Sequence, residues 1–393
     1  MIDSLYIAWK YVSFNKIKTL TLIGCITLIA SLPLALELLL SESERQLMSR
    51  AVSTPLVVGA KGSALDLVMN TLYFSDELPE PIPVAEVDRV EESGLALPIP
   101  IYVRFRARGY PIVGTTLDYF DFRGLQIEMG RPLAIIGDAV LGATVAEELK
   151  LKPSDGVVSS PENLFDLAGV YPLKMNVVGV LKKSHTSDDR AVFVDFKTAW
   201  IIEGLGHGHT DLLKSTDASV ILERSDKKVT ANAKLQIYTE ISKINLDSFH
   251  FHGDPSKYQV SAVIVVPRDH KAGTILRGRY IANDGTTQIV QPRDVVDGLL
   301  QNIFRIKSFI DGVLLVVGFA TILALILVFS LSLRLREREI QTIFKLGCSR
   351  MTIVQLMAAE IFIIGSASGV LCGVLLMLTN LFSNELVRMA ILR

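Results

Sequence analysis

Three stretches of this chain run without a charged side chain for about the length of a bilayer crossing: Thr19–Leu36, Gly312–Leu333 and Ile361–Phe382. About 20 apolar residues rising 1.5 Å each cover a hydrocarbon core roughly 30 Å thick. Inside lipid every backbone amide needs a partner within the protein, so such runs fold as helices. The first run continues through Glu37 to Leu40 and contains Pro33, which a membrane helix tolerates when neighbours satisfy the freed carbonyl. It is longer than the apolar part of a signal peptide and lacks an A-x-A-like site after it, which predicts an uncleaved anchor. The third is rich in small residues, among them Gly365, Gly369 and Gly373. Small residues four apart let helix backbones approach closely, so this span is expected to pack on another helix.

Composition supports the membrane reading and excludes others. Half of the 393 residues are hydrophobic and 21% are charged, with mean hydropathy +0.40. Forty Lys and Arg against forty-one Asp and Glu give a net charge of −1. No nucleic-acid partner is expected at that balance, because a phosphate backbone demands a basic surface. Of the three cysteines, Cys25 and Cys372 fall in apolar runs and Cys348 lies between the second and third, so no disulfide framework is available.

The basic flanks orient the chain. Lys10, Lys16 and Lys18 precede the first run, and Arg334, Arg336, Arg338, Lys345 and Arg350 separate the second from the third. Short loops rich in Lys and Arg stay cytoplasmic. The expected organisation is therefore a cytoplasmic amphipathic helix (1–18), span 1 (19–40), a large extracytoplasmic domain (41–306) and span 2 (307–333). A cytoplasmic coupling loop or helix (334–351), span 3 (352–382) and a short tail (383–393) complete it. Ile2, Leu5, Tyr6, Trp9 and Val12 recur at helical spacing, as in a helix lying in the membrane interface. Between spans 2 and 3, Ile340, Ile343, Phe344 and Leu346 form an apolar stripe that Gly347 is placed to end. A stripe on a charged linker suits a helix docking in a partner's groove, against the plainer reading of an interfacial helix. Glu360 stands at the head of the third run, where a carboxylate is expected either to be paired within a helix interface or to snorkel to the headgroups.

The outer segment mixes strand and helix signals. Alternation predicts strands at Ile99–Arg106, Tyr110–Thr115, Lys174–Lys182, Ala191–Asp195 and Ser261–Pro267. Helices are expected at Ser41–Ser53, as a stalk continuing span 1, and at Asp138–Lys150 and Gln236–Asn245, with loops at Pro79–Pro83 and Gly206–His209. The sum is an α+β domain of two lobes. It holds all six histidines, including the H-x-H pairs His207/His209 and His250/His252. On a strand, residues two apart share a face, so each pair is a candidate metal site, with His185, Asp188 and Asp189 as further ligands. Against this, Gly206–His209 reads as an exposed loop and no C-x-x-C or H-E-x-x-H pattern accompanies the pairs. No G-x-S-x-G motif occurs, so the chain is expected to be non-catalytic.

The run REREIQTIFKLGCSR (337–350 with its preceding Arg336), followed by Glu360, Gly365, Gly369 and Gly373, resembles MacB/FtsX-type permeases of ABC transporters. So do Leu56–Phe74, Val140–Val157 and Asn176–Trp200, which are similar to the family's periplasmic domain. Gln341 departs from the family's glycine, and a fourth span of the family has no counterpart before Arg393. The resemblance implies a membrane helical bundle with a large α+β domain between spans 1 and 2, in a bacterial cell (inner) membrane. It implies a homodimer paired with separate ATP-binding subunits that carry ATP-Mg, consistent with the lack of a phosphate loop here. Arg336, Glu337, Arg338, Glu339, Ile340, Phe344 and Lys345 would then contact the ATPase. The function implied is mechanotransmission, in which work is done outside the membrane on a peptide, lipid or lipoprotein-like amphiphile, with an adaptor as partner. Two alternatives are an FtsX-like regulator of an external cell-wall hydrolase and the permease of a zinc- or metallophore-linked system.

Overall fold

The computed structural model describes the chain except residues 1, 161–171, 209–220, 226–227, 232–238, 242–245, 247–248, 252, 283–284, 336–341, 343–349 and 392–393. The described residues form two compact units: Met48–Asp297, and Met1–Leu47 with Gly298–Ile391.

In chain order, helices α1 (Ile2–Phe14) and α2 (Lys16–Ser53) lead into strand β1 (Leu56–Ala60) and helix α3 (Ala64–Tyr73). Next come β2 (Ile82–Pro83), α4 (Ala85–Glu92), β3 (Ala96–Ala107), β4 (Tyr110–Thr115), α5 (Leu117–Arg123) and β5 (Ile127–Gly130). They are followed by β6 (Asp138–Leu141), α6 (Ala143–Leu149), β7 (Gly156–Val158), β8 (Leu173–Leu181), β9 (Val192–Asp195) and α7 (Phe196–Glu203). Shorter strands β10 (Gly206–Gly208), β11 (Ile221–Ser225), β12 (Lys228–Ala231), β13 (Thr239–Glu240), β14 (Phe249–Phe251) and β15 (Gln259–Val260) precede β16 (Ala262–Pro267). The chain then runs through α8 (His270–Ala282), β17 (Thr287–Val290), α9 (Pro292–Leu335) and α10 (Arg350–Ile391).

In the helical unit, α2, α9 and α10 each contain a stretch long and apolar enough to cross a bilayer. Pro33 sits inside α2 without ending it. Helix α10 presents Glu360, Ile364, Ser368 and Cys372 as its buried stripe, while α2 buries Leu22, Thr27 and Ser31. Thr27 Oγ1 donates to the Ser368 carbonyl at 3.4 Å. Helix α1 buries Ala8 and Val12 and leaves Leu5, Tyr6 and Trp9 exposed. Of the expected apolar stripe on α1, Val12 is therefore the buried member among the side chains described, that of Ile2 lying outside them.

The other unit is built on a mixed sheet of order β13-β8-β6-β9-β4-β3-β16-β1-β17, with β5 and β7 also paired to β8. Its long central strand β3 is buried along most of its length, which is why it reads as a nearly continuous apolar run. Two cores flank this strand. One gathers Tyr102, Ile112, Leu141, Val192 and Trp200; the other gathers Val58, Val90, Val263, Val265 and Leu276.

Three local expectations are corrected. Asp138–Lys150 is not one helix: Asp138–Leu141 is the wholly buried strand β6, wedged between β8 and β9. Gly142 breaks the two, because a side chain there would meet the Asp188 carbonyl at 2.3 Å. Within Gln236–Asn245, Thr239 and Glu240 form strand β13, drawn into the sheet by parallel pairing with Leu173 and Lys174. The rest of that span lies largely outside the described residues. Gly206–Gly208 is a strand rather than a loop, because its ladder with Phe249–Phe251 satisfies its backbone. Phe251 anchors the pair by packing edge-on against Trp200, ring centres 6.1 Å apart.

Candidate functional site at the root of the first membrane helix

Helix α2 (Lys16–Ser53) contains the first candidate span, and its residues from Met48 onward belong to the outer unit. Its last turn carries Arg50, whose side chain is 6% exposed. A guanidinium at such a position is costly unless every face is matched. Here Nη1 and Nη2 donate to the two carboxylate oxygens of Asp188 at 2.7 and 2.9 Å, the planar two-pronged match that Arg makes with a carboxylate. Nη2 also donates to Tyr119 Oη at 2.7 Å, and that hydroxyl donates on to Asp188 Oδ1 at 2.7 Å. The ring of Phe74 lies 5.4 Å from the guanidinium carbon, a cation–π distance.

Every partner is held from a different element. Tyr119 belongs to α5 and packs with Phe120 and Phe193, which lies on β9. Asp188 opens the short 3-10 turn Ser187–Arg190. That turn is wound by its own side chains: Thr186 Oγ1 donates to Asp188 Oδ2 at 2.8 Å, and Asp189 accepts from the amides of Ser184 and His185, both at 2.8 Å. Arg123, also on α5, donates to Ser53 Oγ and Thr54 Oγ1 at 3.2 and 2.9 Å, gripping the very end of α2.

The electrostatics follow from burial and pairing. Burial would push the Asp188 carboxyl up, but Arg50 beside it wins and holds it down at about 2. Burial pushes the Tyr119 hydroxyl above its usual range, and Arg50 only partly offsets this. Burial and the neighbouring Arg50 both lower Arg123. At neutral pH the cluster is a charged Arg–Asp pair bridged by a neutral tyrosine.

The return path lies beside the outward one. Strand β1, which begins three residues after α2, pairs antiparallel with β17, which ends just before α9 at Pro292. The register runs from Val57 opposite Val290 to Ala60 opposite Thr287. Sheet hydrogen bonds therefore join the strands that lead from the first membrane helix and into the second. The cluster is a buried ion-pair network that fastens the last turn of α2 to α5 and to the Ser187–Arg190 turn.

The residues singled out from sequence fall in different places. Glu360 is buried and its Oε1 lies 3.4 Å from Lys18 Nζ, bringing α10 and the start of α2 together. Gly365, Gly369 and Gly373 are exposed, with nothing within 4 Å of where their side chains would begin; packing within the chain uses the adjacent stripe of Ile364, Ser368 and Cys372. Arg336, Glu337, Arg338, Glu339, Ile340, Phe344 and Lys345 lie outside the described residues. So do His209 and His252, while the backbones of His207 and His250 stand opposite each other in the β10–β14 ladder. Among the described residues no group of three His, Cys, Asp or Glu is placed to hold a metal. Asp188 and Asp189, considered beside His185 as ligands, are instead committed to Arg50 and to the turn.

The family model of the MacB-like periplasmic core domain matches residues 20–237, more than half of the chain. The chain belongs to that family. It carries a MacB-like periplasmic core domain and three candidate membrane helices. Among solved structures it is similar to the extracellular domain of the noncanonic ABC-type transporter YknZ from Gram-positive bacteria, at 12% identity. That match covers 60% of this chain and 98% of the other, with a TM-score of 0.33. The periplasmic region of MacB from Actinobacillus actinomycetemcomitans matches at 10% identity, covering 65% and 98%, with a TM-score of 0.36. A domain of a putative permease from Porphyromonas gingivalis matches at 10% identity, covering 60% and 86%, with a TM-score of 0.29. No curated protein matches the chain.

Proposed function

We propose that this chain is the membrane subunit of an ABC transporter, itself non-catalytic, that turns ATP hydrolysis on separate subunits into movement of its outer domain. Two copies would assemble with two ATP-binding subunits in a bacterial cell membrane, with the N-terminus and the 334–351 loop cytoplasmic. The cargo class is an amphiphile, whether peptide, lipid or lipoprotein, exported or extracted on the outer side. The observation that carries this reading is the Arg50 joint. A helix that only anchored a domain would need no buried, two-pronged ion pair at its root, and a hinged linker would serve. A buried network that pairs both terminal nitrogens of Arg50, with its Nε left unpartnered among the described residues, favours one geometry and resists shear, which is what passing motion from a span into a sheet requires.

Affinity purification of the tagged full chain from native membranes in mild detergent, with mass spectrometry and an ATPase assay, tests the reading. The expected result is an ATP-binding subunit that co-purifies with the chain and is lost on Phe344→Asp. Absence of any ATPase, under conditions that retain other membrane complexes, overturns it.

A further inference from the structure

The outer unit contains a cleft of about 370 Å³ at the carboxyl ends of β4 and β9. These two strands are parallel neighbours, with Thr115 opposite Asp195 where they end. Open sheets of mixed helix and strand place ligands just beyond the carboxyl ends of parallel strands, and this volume falls within the range of small-molecule sites. The lining is aliphatic for the most part, from Leu117, Leu133, Ile135, Ile136 and Leu246. Among the described lining residues one carboxylate, that of Asp195, comes into it. This group is half-buried, and burial raises its pKa, while the Lys197 amide and charge only partly restore the ionised form. Oδ1 caps helix α7 by accepting from the Lys197 amide at 2.9 Å, so among the described residues the second oxygen has no comparable bond. Lys197, the other charged residue of the lining, is exposed.

We infer that this cleft binds a small amphiphile carrying a protonated amine, its apolar body against the leucines and isoleucines and its ammonium on Asp195. The charge sets the choice. A carboxylate drawn partly out of water is stabilised by a cation that brings its own hydrogen-bond donors, whereas an anionic headgroup would add repulsion. The inference rests on the cleft alone and needs no ATPase partner, so it stands or falls separately from the transport reading.

The test uses the full chain in lipid nanodiscs, without ATP, titrated with phenylbutylamine and its uncharged counterpart phenylbutanol by ligand-observed NMR, with empty nanodiscs as reference. The amine is expected to bind about tenfold more tightly than the alcohol, the scale of one charge-assisted hydrogen bond. Asp195→Asn keeps the helix cap and should erase that preference, while Lys197→Ala should leave or increase it. Ala134→Trp, at an exposed lining position, should fill the cleft and abolish binding of both probes without removing a buried group. Equal binding of amine and alcohol by the unaltered chain, or an amine preference that survives Asp195→Asn, overturns the proposal.

Discussion

Arg50–Asp188 in the outer unit and Lys307–Glu37 in the helical unit are both short ion pairs, 2.7 and 2.5 Å, that join a membrane-derived helix to a second element. Their surroundings differ. The first pair is 6% and 1% exposed and has a tyrosine bridging it. The second is 21% and 60% exposed, and Lys307 divides itself between Glu37 and Asp311. Distance alone would rank them together. Burial separates them, because an ion pair in water exchanges one good solvation for another, whereas a buried one has no alternative partner if it breaks.

The largest effect should therefore come from halving the buried pair. Asp188→Leu, or Arg50→Leu, leaves a lone charge in the interior and should cost about 3–5 kcal/mol of stability. Denaturant unfolding of the full chain in nanodiscs, followed by the fluorescence of buried Trp200, measures it. The double variant Arg50→Leu with Asp188→Leu should recover most of the loss, since apolar replacements of both partners are often near neutral. Reconstituted with the ATP-binding subunit of the proposed transporter, that double variant should nevertheless show transport reduced relative to ATP turnover. Full coupling in it would show that the joint supplies stability and nothing more.

A second contrast uses glycines in the two units. A methyl at Gly142 would stand 2.3 Å from the Asp188 carbonyl and 2.5 Å from that of Asp189, both backbone atoms. Gly142→Ala must push away the turn that presents Asp188 and should cost about 1–3 kcal/mol, the range for overpacking. Gly369→Ala meets nothing within 4 Å and should leave the unfolding of the monomeric chain unchanged. A loss of self-association in Gly369→Ala, measured by crosslinking in membranes, would sharpen the contrast by placing a second copy on that face.

Acid should reveal the same pair at a smaller scale. The Asp188 carboxyl titrates at about 2 in the folded protein against about 3.8 ordinarily. The native state thus favours its ionised form, and the contribution is complete above the ordinary value. It is lost as pH falls through that value toward 2, for a total of about 2 kcal/mol. Unfolding midpoints between pH 5 and pH 2.5 (about the window these values define) should fall more steeply in the unaltered chain than in the double variant.

How much of this was legible in the sequence depends on the range of the interaction. The spans and most sheet strands are local patterns, and charge-free length or alternation reveals them. The Arg50 joint is not local. Its partner is 138 residues away, and Asp188 reads in the sequence as a candidate metal ligand beside His185 until its turn is seen to aim it at Arg50. A signal was present on the helix side: Leu47, Arg50, Ala51 and Thr54 recur at helical spacing and all are buried. An arginine inside an apolar stripe asks for a buried partner. Asp138–Lys150 failed for the opposite reason, since Asp138–Leu141 has the apolar character of either element. Only Gly142, a break signal passed over, marks the change. For the glycines of α10 the spacing was readable, but which stripe meets a neighbour depends on a rotation that spacing alone does not set.

The smallest expected effect tests the other side of the comparison. Lys307→Ala removes an exposed ammonium that two carboxylates share. Exposed charges are screened by salt and gain little from pairing, and Glu37 is itself 60% exposed. The unfolding midpoint should stay within measurement error at physiological salt, and any shift should appear only at low ionic strength. If Lys307→Ala instead destabilises the chain as much as Asp188→Leu and does so in high salt, then exposure in the isolated chain does not describe its setting in the membrane. The pair would have to be covered there by lipid or by a second copy, and the two helix junctions would be equivalent latches rather than one fixed and one free.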